Sequence, residues 1–177
     1  VKSNSNILLL KEIKKLGLGA DVVSKGELFA SLKAGINKKK IVFSGVGKTR
    51  AEIEYAIKQK ILLINSESLS EVLTIEKVAR KLNKVVNIGL RLNPDTDAQT
   101  LKQISTGKSE NKFGVDKKTF VKIINLMKNS KFIKIKCLSV HIGSQILNHK
   151  PYDKMLNVLD KILKNLNYKF EIIDLGG

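Results

Sequence analysis

Four short segments of this 177-residue chain carry residue types that chemistry could use. They are Val1-Lys2-Ser3-Asn4, Ala20-Asp21-Val22-Val23-Ser24, Val140-His141-Ile142-Gly143-Ser144-Gln145 and Asp174-Leu175-Gly176-Gly177. Each falls at or just after the end of a short apolar run. In a parallel α/β fold the carboxyl ends of the strands gather on one face, and ligands bind there. A lysine, a histidine, a Gly-Ser turn and a Gly-Gly turn on that face suit a cofactor that bears an aldehyde and a phosphate. Lysine forms a Schiff base with an aldehyde, a flat imidazole can lie against an aromatic ring, and glycine turns offer N–H groups to phosphate. Taken singly, each feature also has an ordinary reading as a solvated lysine, a structural histidine or a plain turn.

The elements that must position these segments follow from the apolar pattern. Runs rich in Val, Ile and Leu at 20–24, 40–44, 61–65, 85–93, 133–142 and 170–175 read as strands buried on both faces. Between them, helical patterns cover 7–16, 26–34, 49–58, 69–82, 117–129 and 152–166. Thr49 with Glu52, and Ser68 with Glu71, have the spacing of capping boxes, and Gly17 and Gly35 stand where helices should end. Repeated strand–helix units give a parallel sheet, either open or closed into a barrel, and spacing does not choose between them. The stretch from Pro94 to Asp116 is too long for a routine connection.

Other features point away from alternative functions. Ser44-Gly45-Val46-Gly47-Lys48-Thr49 imitates a phosphate-binding loop, but Val42 stands where that motif needs its first glycine. Its glycines read as a tight strand-to-helix turn. A single cysteine, Cys137, excludes an internal disulfide and reads as a small buried hydrophobe. The net charge of +17 invites a nucleic-acid reading, yet only three of the 33 basic residues are arginines and aromatics make up 5%. Base and phosphate recognition favours arginine and stacking aromatics, so the excess reads as a solvated lysine-rich surface. No apolar run approaches the roughly 18–20 residues of a membrane span. No signal peptide opens the chain, so the expected compartment is the cytoplasm.

Together and in this order, the four segments resemble the fold-type III pyridoxal-phosphate-dependent decarboxylases. Val1-Lys2-Ser3-Asn4-Ser5-Asn6 resembles the family's cofactor-lysine segment, and Gly19-Ala20-Asp21-Val22-Val23-Ser24 with Gly26-Glu27-Leu28 its next segment. His141-Ile142-Gly143-Ser144-Gln145 resembles the histidine strand, and Asp174-Leu175-Gly176-Gly177 the start of the glycine-rich phosphate turn. Within the family, residues 40–49, Ile104-Ser105-Thr106-Gly107-Lys108 and Asn111-Lys112-Phe113-Gly114 resemble the diaminopimelate decarboxylase branch.

The resemblance implies a parallel (β/α)8 TIM-type barrel, incomplete at both ends, with 1–177 a partial barrel domain that binds pyridoxal 5'-phosphate. The carboxy-terminal β-domain of the family is absent from these residues. The implied reaction is decarboxylation of meso-diaminopimelate to L-lysine, the last step of lysine biosynthesis, by a homodimer. Ornithine or arginine decarboxylases of the same fold, or a non-catalytic cofactor-binding barrel, are the alternatives. By resemblance, Lys2 carries the cofactor and helps with proton transfers, and His141 lies against its ring. Gly143, Ser144, Gly176 and Gly177 sit near its phosphate. Asp21 orients the lysine region, and Arg91 approaches the phenolic edge or active-site anions. The segment 105–113 helps form the substrate side or the dimer interface. The family's Glu-Pro-Gly-Arg segment and the cysteine–aspartate segment of the partner subunit lie outside this sequence. The 177 residues alone are therefore expected to aggregate and to show no turnover.

Overall fold

The structure, a computed structural model, describes residues 1–96 and 113–176. Six strands occupy the six apolar runs: β1 (Ala20–Val22), β2 (Ile41–Phe43), β3 (Leu63–Ser66), β4 (Val86–Arg91), β5 (Ile133–Ser139) and β6 (Ile172–Asp174). Six helices alternate with them: α1 (Ile7–Lys15), α2 (Lys25–Lys33), α3 (Arg50–Gln59), α4 (Leu69–Lys81), α5 (Lys117–Met127) and α6 (Lys150–Lys164). The strands are shorter than the apolar runs because the run ends turn into caps. Ser24, for example, leaves β1 to accept a hydrogen bond from Glu27 N–H and start α2.

All pairings are parallel, and the strand order is β1-β2-β3-β4-β5-β6. A doubly wound sheet reverses its order at a switch point. This one never does, which is the order of a barrel. Its curvature is visible in one bond. Strands lie about 4.8 Å apart, so β3 and β6 would be about 14 Å apart in a flat sheet. Asn65 Nδ2 on β3 nevertheless donates to Asp174 Oδ2 on β6 at 3.2 Å. The sheet is a curled arc of barrel wall, with helices outside.

The two faces differ in kind. Val22, Phe43, Ile64, Ile88, Leu90 and Leu138 face the helices and are buried. They meet Leu28, Ile53, Val72, Ile75, Phe120, Ile123 and Met155, each fully enclosed, in one hydrophobic core. Inside the curl, Val42, Leu63 and Ile172 are followed toward the carboxyl ends by Asp21, Ser44, Asn65, Arg91, Ser139 and Asp174. Register shows how β5 joins this change. Ile88 pairs with Ile135 but Gly89 pairs with Cys137, so Lys136 is an extra residue. A bulge of this kind re-aims the side chains after it. Ile135 faces the helices, whereas Cys137 and Ser139 face the interior.

The helix caps follow the sequence with one correction. Thr49 and Glu52 form the reciprocal capping box, and Glu52 also accepts from Lys25 N–H at 3.0 Å, tying α3 to α2. Ser68 caps α4 by accepting from Glu71 N–H at 3.1 Å, but Glu71 does not reach back to it. Its carboxylate instead takes Glu67 N–H at 2.8 Å and Lys48 Nζ at 2.7 Å. The buried ammonium outcompetes a neutral backbone donor. Gly17 and Gly35 end α1 and α2 with φ of +74° and +86°.

Candidate functional site

The carboxyl ends of the strands bring polar groups together at one end of the arc. Asp174 is the hub. One of its oxygens accepts from Asn65 Nδ2 at 3.2 Å and Ser139 Oγ at 2.8 Å, and the other from Gly176 N–H at 3.0 Å. Asn65 also donates to Ser44 Oγ at 3.2 Å. Asn65 can stand there only because β4 has Gly89 opposite: an added Cβ would lie 1.9 Å from Asn65 Oδ1. Burial first, then the Asp174 charge, pushes the Cys137 thiol up to about 12. Cys137 is thus an inert hydrophobe in the barrel wall.

Asp21 lies on the interior side of β1. Crowding by protein raises its carboxyl above the ordinary range, a hydrogen bond with Ser44 opposes that, and Asp174 adds to it. The Val1 amine donates to the Asp21 carbonyl oxygen at 3.0 Å, which holds the segment of Lys2 beside β1. Lys2 is exposed, at the same end of the sheet.

His141 follows β5, half-buried. Burial lowers its pKa from the ordinary 6.5, and the Arg91 charge lowers it further. Asp174 and Glu67 oppose this, and Lys2 adds a small effect in the same direction as Arg91. The imidazole is therefore uncharged at neutral pH. Gly176 lies against it: at φ +71°, an added Cβ would fall 2.4 Å from His141 Nδ1 and 2.9 Å from the Val140 carbonyl oxygen. Only glycine fits that turn. Gly143 is buried and Ser144 half-buried on the turn after His141.

Arg91 ends β4. Its Nη1 lies 3.2 and 3.1 Å from the two oxygens of Glu67, its Nη2 donates to the His141 carbonyl oxygen at 3.4 Å, and its guanidinium stands 5.3 Å from the Phe113 ring centre. Lys2, Asp21, Arg91, His141, Gly143, Ser144 and Gly176 thus share one end of the arc. Gly177, and the 105–113 segment apart from Phe113, lie outside the described residues. Sequence reasoning assigned no role to Ser44, Asn65, Glu67, Ser139 or Asp174. Their signal is a polar residue at the end of an otherwise apolar strand. The loop that imitates a nucleotide site holds no free lysine. The Lys48 side chain is 1% exposed and bonded to Glu71 and to the carbonyl oxygens of Gly45 and Asn65.

The donor set suits a phosphorylated aldehyde: an amine at Lys2, an uncharged imidazole, a hydroxyl at Ser144, and glycine turns too tight for any side chain. A sequence model described as the pyridoxal-binding domain of pyridoxal-dependent decarboxylases matches residues 1–177. The chain belongs to that family. It is 44% identical over 180 residues to the diaminopimelate decarboxylase of Helicobacter pylori strain J99, covering 100% of this chain and 44% of that protein. The Aquifex aeolicus diaminopimelate decarboxylase is 40% identical, again over 100% of this chain and 43% of that one. Among solved structures, H. pylori diaminopimelate decarboxylase complexed with L-lysine matches with a TM-score of 0.89 and 45% identity, over 92% of this chain and 41% of that one. The chain spans less than half the length of these curated relatives. A viral arginine decarboxylase shares the fold, with a TM-score of 0.76 at 21% identity.

Proposed function

We propose that this chain is the cofactor-binding barrel portion of a diaminopimelate decarboxylase, which converts meso-diaminopimelate to L-lysine and carbon dioxide. The observation that supports it most is identity of 39–44% across the whole chain to curated proteins of that name. A match over 92% of this chain to a structure holding L-lysine, the proposed product, adds to it. Bound pyridoxal phosphate supplies an electron-withdrawing ring that stabilises the electron pair left when a carboxylate departs as carbon dioxide.

The chain's own residues have distinct parts in this reading. Lys2 Nζ would hold the cofactor at its aldehyde and, when free, would carry protons. His141 would lie against the face of the ring. Gly143, Ser144, Gly176 and Gly177 would sit near the phosphate, where N–H and hydroxyl donors suit a dianion. Asp21 would orient the Lys2 segment, and Arg91 would approach the phenolic edge of the cofactor or active-site anions. The full protein is proposed to be a cytoplasmic homodimer, with residues 1–177 forming part of the barrel. Among the described residues, no helix is long and apolar enough to cross a membrane.

The test uses the full-length protein that contains this chain. Carbon dioxide release is measured from meso-diaminopimelate, L-ornithine and L-arginine, with lysine quantified. Release from meso-diaminopimelate alone is expected, and release from ornithine or arginine instead would overturn the assignment. Borohydride reduction followed by peptide mapping should label Lys2 alone among the 30 lysines that remain when three arginines are taken from 33 basic residues. Label at another lysine would remove Lys2 from its role.

A further inference from the structure

Four buried charges run in an unbroken line across the ends of β2, β3 and β4, and the line ends on the carbonyl of His141. Lys48 Nζ donates to Glu71 Oε1 at 2.7 Å, and Glu71 Oε2 accepts from Glu67 N–H at 2.8 Å. The Glu67 carboxylate takes Arg91 Nη1 at 3.2 and 3.1 Å, and Arg91 Nη2 reaches the His141 carbonyl oxygen at 3.4 Å. Side-chain exposure is 1% for Lys48, 11% for Glu71, 4% for Glu67 and 14% for Arg91. Two cations balance two anions, which is how a protein keeps charges out of water without leaving one uncompensated.

We infer that Glu67 is a positioning residue, which clamps one arm of the Arg91 guanidinium so that the other arm holds the His141 backbone against the cofactor site. The inference rests on the proposed function in one respect, that His141 faces bound pyridoxal phosphate. The geometry supports it from both sides of Glu67. With Nη1 taken by the carboxylate and the guanidinium over Phe113, Nη2 points to the β5 side, where the His141 carbonyl lies. Behind it, the Glu67 backbone is anchored, because its N–H is tied to Glu71 and Glu71 to Lys48. Lys48 in turn grips the carbonyls of Gly45 and Asn65, the same Asn65 that reaches Asp174. The lysine of the false nucleotide loop thus becomes the fixed end of a chain of contacts that leads to the site.

Glu67 also balances charge. Among the described residues, the charges of Arg91, Asp174, Glu67 and Lys2 act on the His141 ring. Removing the Glu67 charge takes away one of the two anions, with Asp174, that oppose the Arg91 and Lys2 charges at His141.

Glu67→Gln keeps the shape and removes the charge. Two readouts follow in the full-length protein: the His141 ring titration by nitrogen-15 NMR without cofactor, and the Kd for pyridoxal phosphate from its absorbance band. The expected result is a lower His141 midpoint and a roughly tenfold weaker Kd, with an unchanged circular dichroism spectrum. An unchanged midpoint overturns the inference, as does an unchanged Kd in a parent protein that binds the cofactor. If the parent does not bind pyridoxal phosphate while the midpoint still falls, the proposed function fails and the role of Glu67 stands. If Glu67→Gln does not fold, Glu67→Asp replaces it, keeping the charge but withdrawing the carboxylate from Arg91 Nη1. A weaker Kd in that variant supports positioning, and the parent Kd overturns it.

Discussion

Gly89→Ala tests the packing of the site from inside the barrel wall. The new Cβ would stand 1.9 Å from Asn65 Oδ1, 3.1 Å from its Cγ and 3.3 Å from Cys137 Cβ. Contact distances that short do not occur, so the Asn65 amide must swing away. Its bonds to Ser44 and Asp174 are lost, at about 1 kcal/mol each. Crowding a filled interior adds about 1 kcal/mol at the lower end of its usual range. The expected destabilisation is therefore about 3 kcal/mol, read from urea unfolding of the variant and parent. The cause is isolated by a double-mutant cycle with Asn65→Ala. That substitution loses the same two bonds, about 2 kcal/mol, and removes the atom with which the methyl collides. The double variant should then cost little more than Asn65→Ala alone, giving a coupling of about 2 to 3 kcal/mol. A Gly89→Ala cost below about 0.5 kcal/mol, or strict additivity in the cycle, would refute the claim that glycine is there to admit Asn65.

Further outcomes follow from other groups. His141→Ala should leave the circular dichroism spectrum intact, weaken pyridoxal phosphate retention and lower turnover of the full-length protein; unchanged retention and turnover would remove the stacking role. Cys137, with its thiol pushed up to about 12, is about one part in ten thousand thiolate at pH 8. Native protein should therefore resist iodoacetamide for hours, and rapid labelling would contradict its burial. The Glu52 carboxyl is held below the usual 4.5 chiefly by the N–H of Thr49, then by that of Lys25. Its stabilisation is full above pH 4.5 and is lost as the pH falls through the lower folded-state value. Glu52→Ala should therefore cost about 1 kcal/mol at pH 7 and close to nothing in strong acid. A cost independent of pH would show that the carboxylate is not the cap.

The elements were legible because a strand buried on both faces and an amphipathic helix each leave their own mark. All six apolar runs hold strands, and all six helical patterns hold helices. Strand order was not legible, since open and closed parallel sheets share one local pattern. The resemblance supplied the barrel, and the bond between Asn65 and Asp174 shows the curl. Lys2, Asp21, His141 and Gly176 could be singled out because their residue types suit cofactor chemistry and their segments lie near strand ends. Asn65 and Ser139 have no such type, and only the sheet's inward face gives them meaning. Glu71 reads as the capping-box partner of Ser68, because nothing local says that Lys48, 23 residues before it, is buried against it.

The extra residue in β5 has a consequence for how this wall tolerates change. Before Lys136 the strand is written in one phase and after it in the opposite phase, so length, as well as composition, encodes which way Ser139 looks. Pairing without the bulge, with Lys136 opposite Gly89, would keep every interior group in the gene and turn Cys137 and Ser139 outward. Leu138 would rotate into the cavity, and Asp174 would face a hydrocarbon where it had a hydroxyl. Comparison of relatives by residue identity alone would miss such an error. The frame of the strand is itself a functional character, inherited like a reading frame and as intolerant of a single slip.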